Sequence, residues 1–312
     1  MLDRIIGPIL PVAFVILLGF IAGKRRRLTR SDSLLISRLV LGWIFPALLF
    51  VGMASTPREQ LLDFKFIVAT FIGIMGMYVM AMVVGWLRFR NLKVATLKGF
   101  VNGYPDAAFM GIPILGTMFG AGSIYSVLVL NLVASLVMIP LTTMFLTVAD
   151  GKGSGAQAFV SSLSGAVRRP LMWAPALGIL ISLLQIKLPP VVAESFTLLG
   201  KATPGVSLLC LGLIMSSEQM KLSGEVWTNL GLKLLIHPAL MIAATLLLGV
   251  HGIYAQQMIL LCALPSATIP AMFANETGAY QSEAATSILV STVLSILTFP
   301  AAIYLIDGGL AA

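Results

Sequence analysis

The stretch Asn102-Gly-Tyr-Pro-Asp-Ala-Ala-Phe-Met-Gly-Ile-Pro113 interrupts a run of residues otherwise apolar enough to cross a bilayer. A second stretch, Leu264-Pro-Ser-Ala-Thr-Ile-Pro270, does the same in the C-terminal half of the chain. Each carries two prolines beside glycine or small hydroxylated residues. Proline removes a backbone donor and its ring clashes with the preceding turn. In lipid, the backbone groups it frees need other partners, so such breaks survive only when buried in protein or lining a cavity. Matching breaks in two halves of a membrane chain point to a transporter's substrate site.

The rest of the composition agrees with a membrane setting. Hydrophobic residues make up 58% of the 312, charged residues 10%, and the mean hydropathy is +1.00. A soluble domain carries about 25% charged residues, so an all-α polytopic membrane protein is the class expected. The net charge of +8 sits in short loops between apolar runs, where it orients a membrane protein, and does not suggest nucleic acid. Cys210 and Cys262 both fall in apolar segments and offer neither a disulfide framework nor metal-ligand spacing. Residues 5–23 are followed by Lys24-Arg-Arg-Arg27 rather than a small-residue cleavage site, which reads as a retained first span.

About 20 apolar residues make a span. Ten candidates follow, at residues 5–23, 34–54, 64–87, 95–119, 124–148, 171–186, 191–215, 226–250, 254–275 and 284–306. With the N-terminus outside, 15 of the 20 basic residues fall on the cytoplasmic side, Lys98, Lys152, Lys221 and Lys233 among them. This bias predicts both termini outside, in a plasma membrane (the inner membrane of a bacterium). Spans one to five and six to ten resemble each other: Pro46 pairs with Pro204, Pro105 with Pro265, Pro113 with Pro270, Gly120 with Gly278 and Pro140 with Pro300. An odd number of spans per half makes the second half enter from the opposite side, an inverted repeat of the kind secondary transporters use. The expected organisation is a first repeat over 1–150, a cytoplasmic linker over 151–170 and a second repeat over 171–312.

The linker begins Asp150-Gly-Lys-Gly-Ser-Gly155. A phosphate-cradling loop needs G-x-x-x-x-G-K-[ST], and both Gly151-Lys152-Gly153 and Gly200-Lys201-Ala202 fail it. H-E-x-x-H, G-x-S-x-G and Cys/His clusters are also missing from the sequence. Neither an enzyme nor a cofactor-dependent protein is expected, and no metal site.

The string over 102–114 resembles the fourth-helix motif of the auxin efflux carrier family, which includes bacterial malonate and malate carriers. That motif commonly reads Pro-Asn-x-x-Phe/Tyr-x-Gly-Ile-Pro-Leu, and Phe109-Met-Gly-Ile-Pro113 is its most specific part here. Lys233…His237-Pro238 and Pro265…Pro270 resemble the eighth and ninth helices. The resemblance implies a scaffold of helices 1, 2, 6 and 7, through which the protein forms a homodimer. It also implies a moving core of helices 3–5 and 8–10, in which broken helices 4 and 9 cross as in bile-acid/sodium symporters. Asp106 stands where the family usually has asparagine.

Half-helix ends at such a crossing expose free N–H groups that attract anions. A small organic anion is therefore the expected substrate: a carboxylate or dicarboxylate such as malonate or malate, or an auxin-like acid. Proton or sodium coupling is compatible with this, and a channel or passive facilitator for organic acids is the alternative. The residues expected to line the crossing are Asn102, Gly103, Pro105, Asp106, Gly111, Ile112, Pro113, Asn131, Pro265, Ser266, Thr268 and Pro270. Asp106 is the coupling candidate, since a carboxylate in a span is a functional hypothesis by default; a helix cap is its other reading. Lys201 and His237 are secondary candidates, against snorkelling for the lysine and a structural role for the histidine.

Overall fold

A computed structural model describes residues 2–61, 63–151, 154–217 and 221–306. Lys152 of the expected linker lies outside them. The first half of the chain forms α1 (Leu2–Lys24), α2 (Arg30–Leu39), α3 (Phe45–Ala54), α4 (Arg58–Leu61), α5 (Phe64–Phe89), α6 (Leu92–Gly103), α7 (Ile112–Phe119), α8 (Ser123–Val133) and α9 (Ile139–Ala149). The second half forms α10 (Gly155–Val167), α11 (Pro170–Leu183), α12 (Pro190–Gly200), α13 (Thr203–Ser217), α14 (Gly224–Gly231), α15 (His237–Leu248), α16 (Gly252–Ala263), α17 (Ile269–Thr277) and α18 (Gln281–Leu305). Among the described residues there are no strands beyond one isolated bridge. Among the described residues, six helical stretches are long and apolar enough to cross a membrane, and four shorter apolar helices accompany them. The protein is an all-helical polytopic membrane protein.

Among the described residues, five-residue π-helical turns punctuate these helices at Val40–Ile44, Ala107–Gly111, Ala134–Met138 and Leu232–Ile236. Each ends two residues before a proline: Pro46, Pro113, Pro140 and Pro238. Proline cannot donate to the carbonyl four residues back, and its ring clashes with it. In three cases the residue before the proline instead bonds five residues back, Phe45 to Val40, Ile139 to Ala134 and His237 to Leu232. The wider turn moves the threatened carbonyl away and keeps the ladder satisfied, as membrane helices require. Pro175 and Pro300 sit inside α11 and α18 without such a turn, so it is one solution to the problem among several.

The chain divides into two compact units. The first contains residues 1–64, 108–128 and 167–218; the second contains 65–107, 129–166 and 219–312. The resemblance would place 108–128 with the moving core, whereas these residues cluster with α1–α3 and α11–α13.

In the first unit, α1 packs along α13, and α3 packs against α11 and α12. A Cβ on Gly19 would lie 2.0 Å from the Leu209 carbonyl oxygen, and one on Gly212 would lie 1.9 Å from that of Ile16. Gly23 faces Ser216 with equal intimacy. Gly19-xxx-Gly23 and Gly212-xxx-Ser216 thus interlock as small-residue pairs. Such pairs let helix backbones approach closely where lipid removes the hydrophobic drive to associate.

In the second unit, α6 packs against α9, α17 and α18, and α18 also packs against α14 and α16. The ring of Phe100 on α6 meets Phe273 of α17 edge-on at 5.2 Å. This unit carries both breaks.

Candidate functional site

The two breaks meet. Helix α6 ends at Gly103 and helix resumes at Ala107; α16 ends at Ala263 and helix resumes at Ile269. The extended residues between them pair as an antiparallel bridge of Pro105 with Ser266. Asp106 N–H donates to the Pro265 carbonyl at 2.9 Å, and Ala267 N–H donates to the Tyr104 carbonyl at 2.9 Å. Each break therefore satisfies backbone groups that the other frees, as buried backbone polar groups require. Ser291 on α18 adds a third support, accepting from Ser266 N–H at 3.3 Å.

The interruption is narrower than the motif suggests. Only Tyr104–Asp106 leave the helix in the first break. Gly111, Ile112 and Pro113 form the junction of a π turn with α7 and belong to the first unit. Lys201, also in the first unit, caps α12 and is exposed. Gly103 has its small side occupied: a Cβ there would lie 2.8 Å from Tyr78 Cβ and 3.0 Å from Tyr78 Cα. Close packing of α6 on α5, rather than room for a ligand, accounts for this glycine.

Around the bridge the second unit buries an unusual amount of polarity. Asp106 is 1% exposed, Ser266 2% and Asn131 4%. Tyr104 donates its hydroxyl to Asn131 Oδ1 at 3.4 Å. Pro105, Pro265 and Pro270 are buried, and Thr268 is half-buried. Pro270 is the second residue of α17, where a missing N–H costs the helix nothing.

Two lysines counted above as cytoplasmic charges are not at a surface. Lys98 and Lys233 are 0% and 1% exposed, so the cytoplasmic count falls from 15 to 13. Both project from apolar helices into the interior of the second unit, where other polar groups meet them.

Lys98 sits on α6 and ion-pairs with Glu225 of α14. Its Nζ also donates to Asn229 Oδ1 at 3.0 Å. Asn102, one turn along α6, donates to the Lys98 carbonyl at 2.8 Å and to Asn229 Oδ1 at 3.0 Å. Asn229 in turn donates to Tyr280 Oη at 2.8 Å and Ser287 Oγ at 2.9 Å, and the Tyr280 hydroxyl donates to Glu225 Oε1 at 2.5 Å. Half-exposed Arg88, at the end of α5, closes the network on Glu225 Oε2 at 3.0 Å. Glu225 also lies in the first turn of α14, where the helix dipole favours a negative charge.

Lys233 lies on the π turn between α14 and α15. Its Nζ meets His237 Nδ1 at 2.8 Å and donates to the Cys262 carbonyl at 3.3 Å. His237, fully buried, is thereby a partner of the lysine. Cys262 lies three residues before Pro265, whose carbonyl accepts from Asp106 N–H, so Lys233 and Asp106 bond to the same short segment.

The structure brings Asn102, Asp106 and His237 together in this polar interior, alongside Lys98, Glu225, Asn229, Lys233 and Tyr280, none of which the sequence marks as a site residue. A signal was available: Glu225, Asn229, Lys233 and His237 recur every four residues in an apolar segment. That spacing marks one helix face, and the π turn at 232–236 offsets the drift that a strict four-residue step would accumulate.

The chain matches the family model described as "Membrane transport protein" over residues 4–303. It is 26% identical to "Uncharacterized transporter YfdV" of Escherichia coli strain K12 over 309 residues, covering 97% of this chain and 98% of that one. It is 25% identical to the "Putative malonate transporter" of Rhizobium meliloti, covering 98% of this chain and 97% of that one. A shorter likeness, 26% over 137 residues, links 42% of this chain to 25% of the "Probable auxin efflux carrier component 1b" of Oryza sativa. With nearly its whole length matched, and with broken helices bridged inside a polar interior, the chain belongs to the membrane transport protein family that includes the auxin efflux carriers.

Proposed function

We propose that this protein is a secondary transporter that moves a small organic anion across the membrane by alternating access, with the substrate held where the two breaks meet. The observation that carries the reading is the Pro105–Ser266 bridge, which joins two half-helix ends beside the buried Asp106 and Lys233. The positive end of a half-helix dipole and a buried ammonium both favour an anion. The name of the Rhizobium relative supports a dicarboxylate such as malonate as the first substrate to try.

Internal symmetry supports an inverted repeat of ten spans. After each break a short helix follows, α7 and α17, and each ends at a glycine in the left-handed region, Gly120 at φ 72° and Gly278 at φ 68°. These are positions the sequence pairs. The division into two compact units supports a scaffold and a moving core. Homodimerisation through the scaffold, and both termini outside, complete the proposal.

Cysteine protection tests site and topology together. In a background with Cys210 and Cys262 replaced by alanine, a cysteine at half-buried Thr268 should react with a small maleimide more slowly when malonate is saturating. A cysteine at Ser154 should be unaffected by malonate, and an impermeant reagent should reach it only after cells are permeabilised. Equal labelling of Thr268→Cys with and without malonate, acetate or benzoate would place their binding elsewhere. Labelling of Ser154→Cys in intact cells would invert the topology.

A further inference from the structure

Lys233 is accommodated in a way that a purely structural lysine would not need. It is 1% exposed, and the hydrogen bonds of its Nζ go to neutral groups, His237 Nδ1 at 2.8 Å and the Cys262 carbonyl at 3.3 Å. His237 accepts this bond in the tautomer that carries its proton on Nε2. Buried Lys98, in the same unit, has a carboxylate in direct contact. An ammonium served by neutral acceptors keeps most of its desolvation cost, and an ionisable residue retained at that cost inside a span is a functional candidate.

Its position is equally specific. Cys262 lies in the last turn of α16, leading into the second break, and Pro265 in that break accepts from Asp106 N–H at 2.9 Å. Lys233 Nζ and the Asp106 backbone N–H are thus both tied to the four residues 262–265. Other titratable groups face the pair, and buried Tyr78 packs against Gly103 beside the first break. His237 shares its helix; Cys262 belongs to α16; Tyr104 of the first break feels Asp106; the Lys98–Glu225 pair lies beyond Asn102. From α18 the neighbours of this region are neutral serines, Ser287 and Ser291.

We infer that Lys233 is the residue that receives the substrate's carboxylate, in exchange for Asp106, which takes up a proton as the substrate binds. The inference rests on the anion-transport reading above. The exchange needs no covalent step. The substrate carboxylate replaces that of Asp106 as the counter-charge of Lys233, and one proton from water neutralises Asp106. Two carboxylates beside one ammonium in a dry site cannot both stay ionised cheaply. The bound state therefore holds one more proton than the empty one, and substrate and proton are taken up together. Binding that takes up a proton weakens as pH rises, by up to about tenfold per pH unit for one proton.

The test is the dissociation constant of malonate, acetate and benzoate for the purified full-length protein, measured by calorimetry from pH ~5 to ~8. Wild type should bind at least one of them, with affinity falling about tenfold per pH unit over part of that range. Asp106→Asn should bind at neutral pH at least as tightly as wild type, with the pH slope gone. Lys233→Gln should weaken binding by at least about tenfold at every pH, and adding Asp106→Asn to it should restore nothing. Wild-type affinity and slope in Lys233→Gln, or an unchanged slope in Asp106→Asn, would overturn the inference while leaving anion transport standing. No binding of any carboxylate by wild type at any pH would overturn both. If Lys233→Gln does not fold, the slope of Asp106→Asn decides alone, because asparagine caps a helix as well as aspartate.

Discussion

Lys98 and Lys233 are buried to the same degree in the same compact unit, yet their surroundings differ in kind. Lys98 is locked: the Glu225 carboxylate and Asn229 amide of α14 hold its Nζ, and the hydroxyl of Tyr280, the residue before α18, bonds to Glu225. Lys233 is served by a histidine nitrogen and a helix-end carbonyl, beside a break where the backbone leaves the helix. The first arrangement ties helices together. The second leaves a positive charge whose counter-ion can change. One unit thus uses the same side chain as a fastener in one place and as a receptor in the other.

The contrast can be broken by stability measurements. Glu225→Ala should have the largest effect, costing about 3–5 kcal/mol, because it leaves the Lys98 ammonium buried without its carboxylate. Thermal unfolding in detergent would show this. Replacing both Lys98 and Glu225 by methionine should recover most of the loss, since exchanging a buried pair for apolar groups is close to neutral. If Glu225→Ala unfolds like wild type, the network is not a fastener and the comparison fails.

A smaller effect is expected at the crossing. Ser291→Ala leaves the buried Ser266 N–H without its acceptor and should cost about 1–3 kcal/mol, read in the same unfolding assay. The bridge bonds between residues 104–106 and 265–267 remain, so the breaks should stay paired. A loss as large as that of Glu225→Ala would mean that the crossing depends on this one serine, and that it is as tightly fastened as the Lys98 site.

The sequence made the class and the breaks readable because both depend on local chemistry. Apolar runs report membrane helices directly, and Pro105 and Pro265 mark where a helix must open. That the two breaks correspond follows from their matched spacing, whereas their crossing was implied only by the family resemblance. The Lys98 network was not read because charge was treated as a marker of loops, a rule that holds for most basic residues but not for those with a partner 127 residues away. Gly103 was misread for a similar reason: a glycine near a break suggests space for a ligand, but only the three-dimensional structure shows that Tyr78 fills it. The small-residue pairs of α1 and α13 were present in the sequence as Gly19-xxx-Gly23 and Gly212-xxx-Ser216, and their partnership across 193 positions is set by packing alone.

The most direct test of anion transport through the crossing is counterflow. Proteoliposomes containing the purified protein would be preloaded with unlabelled malonate, and the entry of trace labelled malonate followed with time. An alternating-access carrier gives a transient accumulation of label above its outside concentration, which saturates as external malonate rises. Malonate or, failing it, another small carboxylate supplied on both sides should give that overshoot. Entry that rises linearly with concentration and never exceeds equilibrium would show a channel, and the claim of alternating access would be wrong.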